Sequence, residues 1–144
     1  MTLMSDTTDS TAPTFNMQSV LDKIEQAIFD LYSREPFLGR VGLYITKFID
    51  EKCKTAYVTV DKQGHIKMGL GPAFMASLSK EHKMGVLKHE YYHVILMHIL
   101  GRQPKDKEEW LMWNIAVDLV VNWFVAHGKG STYEPDAHLP PCCP

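Results

Sequence analysis

The chain has 144 residues, 45% of them apolar, and a formal net charge of −2. That length suggests one domain with an ordinary core, and the near-zero charge argues against a basic nucleic-acid-binding surface. No apolar run approaches bilayer-spanning length, and the polar, slightly acidic Met1–Thr14 lacks the basic-then-apolar order of a signal peptide. A cytoplasmic protein with neither membrane nor nucleic acid as partner is expected.

Residues 1–15 hold Ser, Thr and Asp without periodicity and are expected to be a disordered tail ahead of a domain at 16–135. A helix over Met17–Ser33 follows from Val20, Ile24, Ala27, Ile28 and Leu31, with Asn16 as its N-cap and Pro36 as its stop. Phe37–Ile49 is mostly apolar at a spacing that suits a buried helix better than a strand, although Gly39 and Gly42 weaken it. Thr55–Gly71 predicts a hairpin: Ala56–Val60 is rich in strand formers, Asp61-Lys62-Gln63-Gly64 supplies the turn, and Ile66–Leu70 alternates in part, as a one-sided or edge strand does. Pro72–Leu78 is a short turn or helix.

Ser79 caps a helix expected over Lys80–Leu100, which Gly101 ends and Pro104 blocks from continuing. Asp106 to Glu109 forms a capping-box pattern that opens a helix over Lys107–His127. This helix is apolar nearly all round, which predicts burial. Residues 136–144 are expected to be coil, and a chain stopping in Pro-rich coil resembles a piece of something longer.

Three cysteines, an odd count, argue against a disulfide framework. Cys53 is expected as a small buried hydrophobe or free thiol. Cys142 and Cys143 are adjacent and lack the C-x₂-C spacing usual in zinc sites.

The chemistry concentrates in His89-Glu90-Tyr91-Tyr92-His93, an H-E-x-x-H motif inside the Lys80–Leu100 helix. At about 100° per residue, histidines four apart share one helix face, so two neutral imidazoles can close on one Zn²⁺. Glu90 sits too close to His89 for comfortable co-ligation but is well placed to take a proton from water at the metal. A chance cluster on a surface helix is the plain alternative.

A third ligand must come from elsewhere. Asn114, Asp118 and Asn122 recur every four residues and make one polar stripe on an apolar helix. A buried carboxylate costs several kcal/mol unless paired or bound to metal. Asp118 is therefore the expected third ligand, with Asn114 and Asn122 as supporting donors; its rival explanation is pairing with an arginine or backbone amides. His98 is the competing ligand, but on a continuous helix it lies about 140° from His93 and faces away. His127 faces away from Asp118, and His138 in the tail stays open; His65 and His82 are expected at the surface.

From Pro36-Phe37-Leu38-Gly39 through the hairpin and Pro72-Ala73-Phe74 to Leu87–His93 and Trp113–Asn122, the chain resembles the metallopeptidase domain found at the N-terminus of some bacterial and phage VWA-like proteins. That family has an H-E-x-x-H helix ending in His-x-x-Arg, here His98 to Arg102 with one extra residue, then a W-N-x-A-x-D-x-x-x-N helix. The resemblance covers roughly residues 30–140 and departs at Gly71-Pro72, where Asn-Pro is expected. It implies an α+β, mostly helical zincin-like fold with a small hairpin, the H-E-x-x-H helix packed on a second buried helix, metal ligands His89, His93 and Asp118, and Glu90 as catalytic base. A VWA-like partner protein is a further implication.

The expected activity is zinc-dependent peptide hydrolysis with one Zn²⁺ per chain, on a peptide or protein substrate lying extended along Ile66, Lys67, Met68, Gly69 and Leu70. A non-catalytic zinc-containing binding module and a metal hydrolase of a non-peptide substrate are the alternatives. No oxyanion donor stands out, although Tyr133 is a candidate.

Overall fold

A computed structural model describes residues 15–96, 98 and 104–127. The expectations for residues 1–14, for Gly101 and Arg102, and for Tyr133, His138, Cys142, Cys143 and the 136–144 coil lie outside the described residues. The described elements run α1 (Met17–Arg34), α2 (Pro36–Leu43), β1 (Thr46–Ile49), β2 (Ala56–Val60), β3 (Ile66–Leu70), α3 (Pro72–Ser77), α4 (Lys80–Ile95) and α5 (Lys107–His127). The fold is α+β and mostly helical. No helix among the described residues is long and apolar enough to cross a membrane.

The sequence signals for α1 act as expected. Asn16 Oδ1 accepts from the Gln18 and Ser19 amides at 3.0 and 3.4 Å, and Val20, Ile24, Ala27 and Leu31 are buried. Glu35 sits outside the helical region, at φ −131° and ψ 78°, ahead of Pro36, which occupies the first turn of α2.

Phe37–Ile49 is not one buried helix. Its first part forms α2, and Thr46–Ile49 is a strand. Thr46-Lys47-Phe48-Ile49 alternates in exposure, and it pairs in parallel with β3 at Thr46↔Lys67 through Ile49↔Leu70. That pairing is long-range, so local spacing carries little trace of it. Gly39 belongs inside a helix because α1 passes so close: a Cβ there would lie 2.5 Å from the Tyr32 Cα.

The sheet order is β1-β3-β2, with β2 antiparallel to β3. Ile66–Leu70 is therefore the central strand and not an edge. Its backbone is taken up on both sides, and Met68 and Leu70 are fully buried. Edge positions belong to β1 and β2.

The main core joins α1 (Leu31), β3 (Met68, Leu70), α3 (Met75) and α4 (Leu87, Tyr91). Lys88, next to the motif, is buried and donates to Glu35 Oε1 at 2.6 Å, tying α4 to the α1–α2 junction. Breaking a buried pair strands a charge, so this contact helps fix where His89 stands.

Two helix expectations need correction. Helix α4 ends at Ile95, five residues before Leu100. The His98 amide donates back to the His93 carbonyl at 3.0 Å, which satisfies an otherwise open helix-end carbonyl without glycine or proline. Helix α5 has its expected span but is not buried all round. It packs on α4 and buries Val117, Asp118, Val121 and Val125, while Leu111, Met112, Ile115, Leu119 and Trp123 are at least half exposed.

The β2–β3 turn is built on Asp61. Its Oδ1 accepts the Gln63 and His65 amides, each at 2.9 Å, its Oδ2 lies 3.2 Å from Lys67 Nζ, and Gly64 takes φ +86°. These donors, the His65 amide foremost, draw the Asp61 pKa from 3.8 down to about 2. A depressed carboxylate stabilises the fold fully above its unfolded pKa and loses that contribution as pH falls through its folded pKa. Asp61→Asn is expected to lower Tm at neutral pH, with the gap to wild type closing between about pH 4 and pH 2; thermal melts across that window check it.

Candidate metal centre

Helix α4 brings His89, Glu90 and His93 to its buried side, and α5 lays Asp118 against them. His89 Nε2 and His93 Nε2 are 3.0 Å apart, and Asp118 Oδ1 is 3.4 Å from the first and 3.1 Å from the second. Two imidazole nitrogens and one carboxylate oxygen thus converge on a single point. Among the described residues, His89, His93 and Asp118 form a group that could hold a metal ion.

The fit can be tested on spacing and donor chemistry. A tetrahedral ion with bonds near 2.0–2.1 Å sets its ligands about 3.3 Å apart. The observed separations of 3.0–3.4 Å match this. The donor set of two imidazoles and a carboxylate leaves room for a fourth ligand.

The outer faces of both rings are held. His89 Nδ1 lies 2.8 Å from Asn122 Oδ1, an acceptor, so that nitrogen carries a proton; Nε2, which faces Asp118, would offer its lone pair to a metal in place of a proton. His93 Nδ1 lies 3.0 Å from His98 Nδ1. A lone pair on His93 Nε2 requires the proton on His93 Nδ1, donated to His98. His98 also packs edge-on against Trp113 of α5, with ring centroids 6.2 Å apart.

His98 is therefore not turned away, as a helix continued to Leu100 would have it. The early end of α4 carries it round to the far nitrogen of His93. Only the assumption of helical continuity hid this contact, and no glycine or proline in Val94–Met97 marks the break.

Electrostatics favour a cation at the centre. Burial alone would raise the Asp118 pKa, but hydrogen bonds from His89 and His93 outweigh it and hold the carboxyl well below the usual range. Burial alone would lower the His89 pKa, yet Asp118 and Glu90 leave it raised overall. Burial, joined by the neighbouring His93, pushes the His98 pKa down, consistent with a neutral acceptor ring. A proton and a metal ion would compete for the same lone pairs, so metal affinity falls with pH.

A cavity of about 860 Å³ opens onto this point. Glu90, His93 and Asp118 stand at its base with Asn114 one helical turn from Asp118. Trp110, Trp113 and Val117 of α5 form one wall, Tyr57–Val60 of β2 another, and the loop residues Asp50 and Lys52–Lys54 close one end. Of the two expected supporting asparagines, Asn122 holds a ring, whereas Asn114 lines the cavity. The β3 residues Ile66–Leu70, expected to bind substrate, are not among the lining residues; β2 takes that place.

A family model described as "Putative metallopeptidase domain" matches residues 19–138. No curated protein and no solved structure matches the chain.

Removing an orienting partner of a metal-bound histidine usually costs about 10–100-fold in affinity. Asn122→Ala and His98→Ala are each expected to weaken divalent-metal binding by about that much at unchanged helix content. Competition with a chromogenic chelator, run beside far-UV circular dichroism, measures both.

Proposed function

The chain belongs to this metallopeptidase-domain family, and on that premise we propose that it hydrolyses peptide bonds with a zinc ion held by His89, His93 and Asp118, in the manner of the zincins. The observation that carries the proposal is the convergence of His89 Nε2, His93 Nε2 and Asp118 Oδ1 within 3.4 Å of one another at the base of an open cavity. Zinc is favoured over harder ions because two of the three donors are imidazoles.

A bound zinc ion supplies Lewis-acid chemistry, acidifying water and polarising a substrate carbonyl. The remaining work falls to the chain. Asn122 and His98 keep the Nδ1 protons of the two histidines in place, which leaves both Nε2 atoms as donors of lone pairs. Glu90 is buried at the cavity base beside His93 and Asp118, and its carboxylate accepts the proton of the attacking water. It then returns that proton to the departing amine. Trp110, Trp113 and Val117 supply an apolar wall beside it.

The substrate lies extended against β2 and not against β3. Strand β2 is an edge and lines the cavity, so its outer backbone groups can pair with a peptide. Asn114, on the opposite wall, offers a carboxamide to the same peptide.

Glu90→Gln keeps the shape and removes the base. Proton transfer by a positioned carboxylate contributes about 10²–10⁴-fold, and a loss of that size is expected in peptide-cleavage rate, with zinc content unchanged. A mixed-sequence peptide library read by mass spectrometry provides the assay. A Glu90→Gln variant that retains zinc and cleaves like wild type would contradict the role given to Glu90.

A further inference from the structure

The face of α5 turned away from the candidate metal centre is apolar and exposed. Leu111, Met112, Ile115, Leu119, Val120 and Trp123 are between 46% and 71% exposed. They fall within one half of the helix surface, opposite the buried Val117, Val121 and Val125. Trp110, also partly exposed, belongs instead to the cavity wall. Taking about 150–250 Å² for a whole large side chain, the six together offer roughly 600–700 Å² of apolar surface. A typical monomer's largest patch is about 300–600 Å², and a specific interface takes about 800 Å² from each partner.

We propose that this face joins two copies of the chain, with the two α5 helices antiparallel across a two-fold axis near Val117. Three observations select a second copy as the occupant. The area, roughly 600–700 Å², lies at the lower end of what one side of a standard interface buries. Four of the six exposed positions are palindromic about Val117: Ile115 and Leu119 stand two residues either side of it, and Leu111 and Trp123 six. An antiparallel pair crossing there sets Leu111 against the other copy's Trp123, and Ile115 against its Leu119, as an isologous interface requires. The ends are complementary as well. The first turn carries Glu108 and Glu109 and the last turn His127, so antiparallel pairing brings acidic ends to basic ones.

The i, i+4 spacing of Leu111, Ile115, Leu119 and Trp123 forms a continuous ridge, which suits a helix crossing ridges into grooves. In this arrangement the cavity faces away from the axis in both copies, and the metal centre is left open.

Sedimentation equilibrium of the full chain tests the proposal. The expected mass at tens of micromolar is twice the 16.4 kDa of one chain. Ile115→Lys and Leu119→Lys lie on the exposed face and should each weaken the dimer by about tenfold or more while far-UV circular dichroism stays unchanged. Glu108→Lys with Glu109→Lys should also weaken it, and adding His127→Glu should restore it. A monomeric wild type, which would mean that the face is bare or covered from within the chain, overturns the proposal. So does a dimer that survives both lysine variants. Failure of His127→Glu to restore the charge-reversed dimer overturns the antiparallel arrangement.

Discussion

Two imidazole nitrogens and a carboxylate oxygen lie within 3.4 Å of one another in the interior. Lone pairs and negative charge brought this close repel, so a proton or a cation between them stabilises the cluster. A proton can serve, and Asp118 and Glu90 favour it on His89 against the opposing effect of burial. A divalent ion serves better, since it satisfies all three donors at once. Much of the fold can be understood as holding these atoms together. The Lys88–Glu35 pair anchors α4 to the first two helices, Val121 and Val125 seat α5 against Tyr92 and Leu96, and Asn122 and His98 fix the ring orientations.

The same helix contributes to three surfaces. Its inner side gives Asp118 and Asn122 to the centre, a flank gives Trp110 and Trp113 to the cavity, and its outer side is apolar and exposed. This division explains a composition that looks like that of a fully buried helix. Covering such a face removes apolar surface from water at about 25 cal/mol per Å², although the cost of association offsets part of that gain. The cavity and the exposed apolar face lie on opposite sides of α5.

How far the sequence revealed this depended on the range of the interactions. Helix α1, the hairpin strands and the span of α5 were legible because local signals set them: Asn16 and Ser79 as caps, Asp61 and Gly64 in the turn, periodic apolar positions along α1. The donor pair His89 and His93 was legible from spacing, and Asp118 from the cost of burying a lone carboxylate. Strand β1 was not, because its partner β3 lies about twenty residues away and the stretch from Phe37 to Ile49 is uniformly apolar. The central place of β3 was hidden for the same reason. The position of His98 depended on where α4 stops, and that end is set by a backbone bond to His93 and by contact with Trp113, not by a stop residue. Apolar composition predicted a helix buried all round, and the half-exposed Leu111, Met112, Ile115, Leu119 and Trp123 contradict that.

The central claim is that Asp118 completes a metal site with His89 and His93. Metal content of the purified chain by inductively coupled plasma mass spectrometry, for wild type and Asp118→Ala in parallel, tests it most directly. About one zinc per wild-type chain is expected, with zinc lost or greatly reduced in the variant. Equal zinc in both proteins, or none in wild type even after zinc is supplied, would contradict it.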